Sequence, residues 1–149
     1  MKEASLSIIE DTKAHKFLMI HHQRGINKGY VNFPGGKKEV GEDMRACVIR
    51  ESLEETGLTV KNPVEVGYIE FPGADYHVHV FKSTEFSGEL KAKADEVDLF
   101  WQDADNVPYD KMRTADRDFL PLILAGKFVK RRYFYSADGE VERIEDIYE

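Results

Sequence analysis

The sequence predicts an α+β fold: a central mixed β-sheet with two helices packed on its opposite faces and a hairpin at the C-terminus. Three observations predict it. Residues 43–56 and 116–125 are helix-length segments, each closed by a glycine, Gly57 or Gly126. Around them lie short runs rich in β-branched and aromatic residues, the composition of strands. The tripeptide Ala137-Asp138-Gly139 separates two such runs and is a hairpin-turn signal. With 149 residues, no internal repeat and no linker-like tract, the expectation is one domain over residues 1–149.

In chain order, residues 4–9 alternate in polarity, residues 10–13 turn, and residues 17–21 form a second apolar run. A hairpin is expected over residues 4–21. The segment Asn32-Phe33-Pro34-Gly35-Gly36 is read as excluded from regular structure, because Pro34 lacks a backbone donor and two glycines follow. Residues 43–56 read as a helix with Ala46, Ile49 and Leu53 as its buried face. Residues 64–71 and 76–86 read as strands joined by the turn Pro72-Gly73-Ala74-Asp75, and residues 97–102 as a further strand. In the second helix, residues 116–125, Pro121 is expected to be tolerable only in the first turn. Residues 131–135 and 141–144 complete the hairpin.

Composition narrows the function. A net charge of -7 argues against a binder of nucleic acid polymers, which carries a basic face. It leaves room for a small anionic substrate, since bound cations reverse a local field. The one cysteine, Cys47, permits no internal disulfide, so a reducing, cytoplasmic setting is expected. Residues 1–10 lack the apolar run of a signal peptide, and no stretch reaches the roughly 20 apolar residues of a membrane span.

The chemistry concentrates in residues 36–58: Gly36, Glu42 six residues on, then Arg50, Glu51, Glu54, Glu55 and Gly57. At about 100° per residue, Glu54 and Glu55 lie about 60° and 40° to either side of Glu51, so one helix face carries three carboxylates. Glu51 and Glu55 repel as an i,i+4 pair, and Arg50 and Glu54 compensate as another. Divalent cations would neutralise such a face, and Mg²⁺ in particular takes a few carboxylates plus substrate phosphates. Ions held there clamp phosphate oxygens and favour ionisation of an attacking water, whose proton a free glutamate accepts. The Gly35-Gly36 turn is either a simple tight turn or a place where backbone comes close to metal or phosphate.

This pattern resembles the Nudix box, and every charged and glycine position of that motif is present. Ser52 departs from it, standing where an aliphatic residue is usual. Beyond the box, the chain resembles the MutT branch, the hydrolases of oxidised purine nucleoside triphosphates. The carrying segments are Gly29 to Lys37, Val78-His79-Val80-Phe81, Glu96 with Trp101, Val107 to Met112, and Asp116 with Pro121. The resemblance implies an α/β/α sandwich and Mg²⁺-dependent hydrolysis, Mn²⁺ being an alternative ion, of a nucleoside triphosphate to monophosphate and pyrophosphate. It implies metal binding by the Gly35 carbonyl, Glu51, Glu54, Glu55 and Glu96, with Arg50 orienting the glutamates and Glu54 and Glu55 as catalytic residues. Asn32 and Asp116 match the base-reading positions, and Phe71 would line the base pocket. The branch's pair of adjacent aspartates is reduced to Asp116 after Ala115, and its pocket tryptophan is replaced by Arg113. Other Nudix substrates, namely ADP-ribose, a dinucleoside polyphosphate or a pterin triphosphate, stay open, as does a catalytically silent nucleotide-binding module. The partner expected is a nucleotide, with no nucleic acid polymer and no membrane, and the chain acts as a monomer or homodimer.

Several residues carry two readings. Asn32 caps a turn or reads a base edge. Asp116 caps a helix or bonds a base. Glu96 is solvated in a charged loop or reaches the metals. Arg24, in a Gly/Asn-rich loop, meets phosphate or solvent, and Arg113 stacks on a base or contacts phosphate or ribose. Phe71 and Tyr76 are core or base stackers. His77 and His79 alternate onto one strand face, as a ligand pair or as a solvated sheet face.

Overall fold

The computed structural model describes residues 1–92 and 97–148. Among these, the strands are β1 (Lys2–Asp11), β2 (Lys16–His22), β3 (Val31–Asn32), β4 (Gly35–Lys37), β5 (Leu58–Lys61), β6 (Val64–Phe71), β7 (Tyr76–Ser83), β8 (Glu85–Gly88), β9 (Val97–Asp103), β10 (Val129–Tyr135) and β11 (Val141–Asp146). The helices are α1 (Met44–Thr56) and α2 (Thr114–Leu124). The main sheet runs β11-β10-β6-β7-β1-β2-β3, with β4 added on β1 and β9 on β2. It is mixed: β1 runs parallel to β7 and β10 parallel to β6, while the other pairs are antiparallel. Strands β5 and β8 form a separate two-stranded ribbon. No helix of the described residues is long and apolar enough to cross a membrane.

Strand β1 organises the molecule. The hairpin expected over residues 4–21 contracts to its tip, where Glu10 and Asp11 oppose Phe17 and Lys16. Lys2 to Ile9 pair instead with β7, and Ala4 to Leu6 also pair with β4. Alternation along β1 then divides the two layers. Ser5 and Ser7 face α1, while Ile8 joins Phe119, Leu120 and Ile123 of α2 in the main core with Met19, Ile69 and Val80. A smaller cluster of Ile9, Leu18, Leu58 and Val60, with Ile49 against it, lies on the α1 side. Each such buried aliphatic contributes roughly 1.5–3 kcal/mol. The two helices therefore lie on opposite faces of the sheet.

Helix α1 begins where Asp43 accepts a hydrogen bond from the Ala46 N–H at 2.8 Å. It ends at Gly57, whose φ of 83° makes the left-handed cap and whose N–H bonds the Leu53 carbonyl. Its buried face differs from the expected one. Ala46 is exposed, Ile49 half-buried and Leu53 50% exposed, whereas Cys47, Val48, Glu51, Ser52 and Thr56 are buried. Apolar periodicity misled because only Cys47 and Val48 are apolar on the inward face, and Glu51, Ser52 and Thr56 complete it with polar groups that are hydrogen-bonded. The Ser52 hydroxyl donates to Ser7 Oγ at 2.8 Å, and Thr56 bonds its own helix's Ser52 carbonyl at 2.6 Å. Ser52 thus replaces the usual aliphatic packing with a hydrogen bond to β1. Ser52→Ala is expected to lose about 1–3 kcal/mol by leaving Ser7 buried without its partner. The Ser7→Ala/Ser52→Ala double variant should recover most of that in chemical denaturation. Equal or additive losses in the double variant would remove this coupling.

Three further expectations are corrected. Gly35-Gly36 and Asn32 are not irregular: Asn32 ends β3 and the glycines start β4, Pro34 falling between the strands where no ladder donor is needed. The strand expected over residues 76–86 breaks after Ser83, and its remainder, β8, turns away to pair with β5. Helix α2 begins earlier than expected, at Thr114, so Pro121 sits inside it and not in its first turn. One i→i−4 bond is forfeited there, and the buried face of Ala115, Phe119, Leu120 and Ile123 holds the helix in place.

Candidate active site

The two glycines of β4 are required by different neighbours. A Cβ on Gly35 would meet the Ser5 carbonyl oxygen of β1 at 2.1 Å. A Cβ on Gly36 would meet Glu51 Oε2 at 2.1 Å. The Glu51 carboxylate is therefore seated directly against the Gly36 backbone, and it is buried, with 11% of its side chain accessible. Because the obstructed atom is the end of a flexible side chain, Gly36→Ala should evict the carboxylate and spare the fold. A displacement of about 1 Å costs on the order of 10²-fold in activity. We expect that loss in kcat with little change in Tm, and full activity would show that the seat of Glu51 is dispensable.

Arg50 is the hub of the acidic face. Its Nε and Nη2 take both oxygens of Glu42 at 3.0 and 2.7 Å, a bidentate pair. Nη2 also donates to the Lys37 carbonyl at 2.9 Å. Nη1 donates to Glu51 Oε1 at 2.8 Å and Glu54 Oε2 at 3.1 Å, so these two carboxylates converge on one nitrogen. Glu42, which sequence spacing singled out without a role, is the anchor of the arginine. Arg50 hydrogen bonding, then the Glu39 backbone N–H, holds its carboxyl down at about 2. The guanidinium is correspondingly held above its ordinary value, chiefly by Glu42. Glu55, half-buried, lies one residue beyond Glu54 on α1. Glu96 lies outside the described residues.

The donor set on this face is all oxygen, with Glu51 pressed against a strand whose backbone a side chain would otherwise cover. That composition fits a hard divalent cation and does not fit a soft one. Glu51, Glu54 and Glu55 would hold it, together with the Gly35 carbonyl.

On the opposite face of β1, two adjoining cavities of about 440 and 270 Å³ open side by side. They share Asn27, Phe71, Tyr76, Arg113 and Tyr135. The smaller one is also lined by Asn32, Asp116, Phe119 and Gly35, so it reaches the strand that seats Glu51. Phe71 is buried and stacks on Tyr76 at 4.8 Å and on Tyr135 at 6.0 Å, forming an aromatic wall. Asp116 stands in the first turn of α2 and is not its N-cap, a position held by Arg113. Burial pushes its carboxyl up to about 6, against the opposing pull of Arg113. Asn32 Oδ1 lies 3.0 Å from His22 Nε2, a bond that steadies the amide and displaces the turn-cap reading.

Arg113 is committed to the wall. Its guanidinium stacks on Tyr30 at 4.4 Å from the ring centre and donates to Asn27 Oδ1 and the Ile26 carbonyl at 2.9–3.0 Å. Arg24 is exposed in the 23–30 loop and lines neither cavity. His22, Asn27, Tyr30 and Tyr135 were not found from sequence. Only Tyr135, alternating with Tyr133 along β10, carried a signal; Asn27 and Tyr30 meet the cavity through loop geometry, and His22, at the end of β2, bears on it only through its bond to Asn32.

Residues 2–123 match the family model described as NUDIX domain. An oxidized purine nucleoside triphosphate hydrolase of Danio rerio is 30% identical, with 95% of this chain and 96% of that protein aligned. An ADP-ribose pyrophosphatase of Methanocaldococcus jannaschii is 36% identical over 64% of this chain and 59% of its own length. Among solved structures, a MutT protein of Bacillus halodurans superposes with a TM-score of 0.81 at 28% identity, covering 97% of each chain. The matched segment carries both the acidic helix and the glycine strand that seats it, and the chain belongs to the Nudix family and is a Nudix hydrolase.

Proposed function

We propose that this enzyme is a Mg²⁺-dependent nucleoside triphosphate diphosphatase whose substrates are oxidised purine nucleotides such as 8-oxo-dGTP. The observation that carries the reading is Asp116: a half-buried carboxyl, pushed up to about 6 by desolvation, in an aromatic-walled cavity with Asn32. An acid near its titration point supplies an O–H donor as well as an acceptor, and Asn32 adds an amide, which together suit a purine edge altered by oxidation. Phe71 and Tyr76 supply the stacking surface. Gly35 lines the same cavity, so a base held there directs its phosphates toward Glu51, Glu54 and Glu55.

When bound, Mg²⁺ supplies charge neutralisation at the phosphates and favours ionisation of the attacking water. Glu51 keeps its carboxylate against the Gly36 backbone. Arg50, anchored by Glu42, holds Glu51 and Glu54 in register. Glu54, the more exposed of that pair, accepts the proton of the water. Water attack on a phosphorus of the triphosphate releases monophosphate and pyrophosphate.

A second reading rests on the larger cavity beside the first. Its volume, about 440 Å³, and its lining of Tyr30, Arg113 and Arg117 leave room for a second sugar, as ADP-ribose requires. A Mg²⁺-dependent panel of 8-oxo-dGTP, 2-hydroxy-dATP, dGTP, ADP-ribose and a dinucleoside tetraphosphate, read as products and kcat/KM, separates the two. Preference for an oxidised purine over dGTP supports the proposal. A flat profile or an ADP-ribose preference replaces it.

A further inference from the structure

Strand β7 alternates across the sheet. Tyr76 and Val78 line the nucleotide cavity, so His77 and His79 face the other side, the face on which Ser5 and Ser7 meet α1. There the parallel neighbour β1 sets Glu3 opposite His77. One ligand atom each from Glu3, His77 and His79 lies within 4.8 Å of the others, and all three residues are partly buried. We propose that these three side chains form a second metal site, for a transition-metal dication of the Zn²⁺ type, separate from the glutamate face of α1.

The bonds behind the rings carry the argument. His79 Nδ1 is hydrogen-bonded to the Glu65 carboxylate. His77 Nδ1 lies 3.2 Å from the Tyr68 hydroxyl. Each ring is thus fixed through one nitrogen by a neighbouring oxygen, which leaves Nε2 to bind, the arrangement that orients histidine toward a metal. His77 Nε2 is buried, lies 3.2 Å from Glu3 Oε1, and makes no hydrogen bond among the described residues. A buried imidazole nitrogen facing a carboxylate outside hydrogen-bond geometry has a free lone pair in the tautomer whose Nδ1–H donates to the Tyr68 oxygen. Two imidazoles and one carboxylate form a borderline donor set that selects zinc-like ions over Mg²⁺. Side-chain shifts of about 1 Å would close the cluster to the ~3.3 Å between ligands of a tetrahedral zinc. Glu65 and His79 also border an open groove of about 400 Å³, which gives an ion a solvent route and a fourth ligand in water. Such an ion would tie β1, near its start, to β7.

The test is zinc binding to tag-free, chelator-stripped protein, followed by competition with a chromophoric chelator in millimolar Mg²⁺ that saturates the glutamate face. One Zn²⁺ per chain is expected, raising Tm, and Glu54→Gln should retain it. His77→Gln and His79→Gln should weaken it by roughly 100-fold or more, and Glu65→Gln by about 10-fold through His79. Glu3→Gln, which alters a half-exposed carboxylate only, should weaken binding without threatening the fold. Co²⁺ in place of zinc should give visible d–d bands that vanish in the histidine variants. Absence of zinc binding in wild type, displacement by Mg²⁺, or unchanged binding in the histidine and Glu3 variants would each overturn the site, leaving His77–Glu3 and His79–Glu65 as ordinary polar side-chain contacts.

Discussion

Glu54→Gln should lower kcat by about 10²–10⁴-fold while leaving Tm and the fold intact. The separation of the two effects follows from where the side chain sits. Its carboxylate is 43% accessible, and the contact that holds it is the i,i+4 pair with Arg50 at 3.1 Å. An exposed pair of that kind is worth only a few tenths of a kcal/mol, so the amide costs little stability. Arg50 keeps Glu42, Glu51 and the Lys37 carbonyl, and so keeps its place. What the amide removes is the capacity to take a proton from water and to offer an anionic oxygen to a cation. The check is single-turnover hydrolysis beside thermal denaturation across a Mg²⁺ titration. Retained turnover with ordinary metal dependence would sink the assignment of Glu54. The companion Gly36→Ala attacks the same face through the position of Glu51, so the two variants together distinguish loss of a group from loss of its placement.

The acidic face was legible in sequence because it is local. Arg50, Glu51, Glu54 and Glu55 fall on one helix, Asp43 and Gly57 mark its ends, and the glycines of β4 precede it in the same short stretch of chain. Strand β6 and the closing hairpin were legible for the same reason, their signals being contiguous. The orientation of α1 was not legible. Its inward residues, Ser52 and Thr56, look like surface residues until Ser7, 45 positions away, is set against Ser52. Nor was the centre of the sheet, since the parallel pairing of β1 with β7 joins Lys2 to Tyr76 across most of the intervening chain. The aromatic-walled cavity lies between these extremes. Asn32, Phe71, Arg113 and Asp116 were named from the resemblance, but the wall that Asn27, Tyr30 and Tyr135 complete is assembled from separate loops and strand ends. Arg113, read from sequence as a substrate contact, spends its hydrogen bonds on Asn27 and Ile26 and thereby holds that wall.

Asp116→Asn should trade base selectivity for stability. Burial raises the carboxyl from 3.8 to about 6, so between those values the folded protein binds more protons here than the unfolded chain does. The sign follows from linkage: stability falls as pH rises through that window, and the full deficit is present above pH 6. At 1.36 kcal/mol per pH unit the deficit approaches ~3 kcal/mol. Asparagine has no charge to desolvate, so the variant should be more stable at pH 8 by up to that amount, and the advantage should shrink as pH falls from about 6 toward 4. The same change fixes the amide as a donor of two N–H groups and removes the acid's ability to present either an O–H or a bare carboxylate. Discrimination between 8-oxo-dGTP and dGTP in kcat/KM should then drop roughly 10²-fold, the cost of one mismatched buried hydrogen bond. Denaturation curves at pH 4.5 and 8 and the two kcat/KM values decide both parts. A variant that is no more stable at pH 8 would mean that the carboxylate is solvated after all, and unchanged discrimination would move base reading away from Asp116 to Asn32 and the aromatic wall.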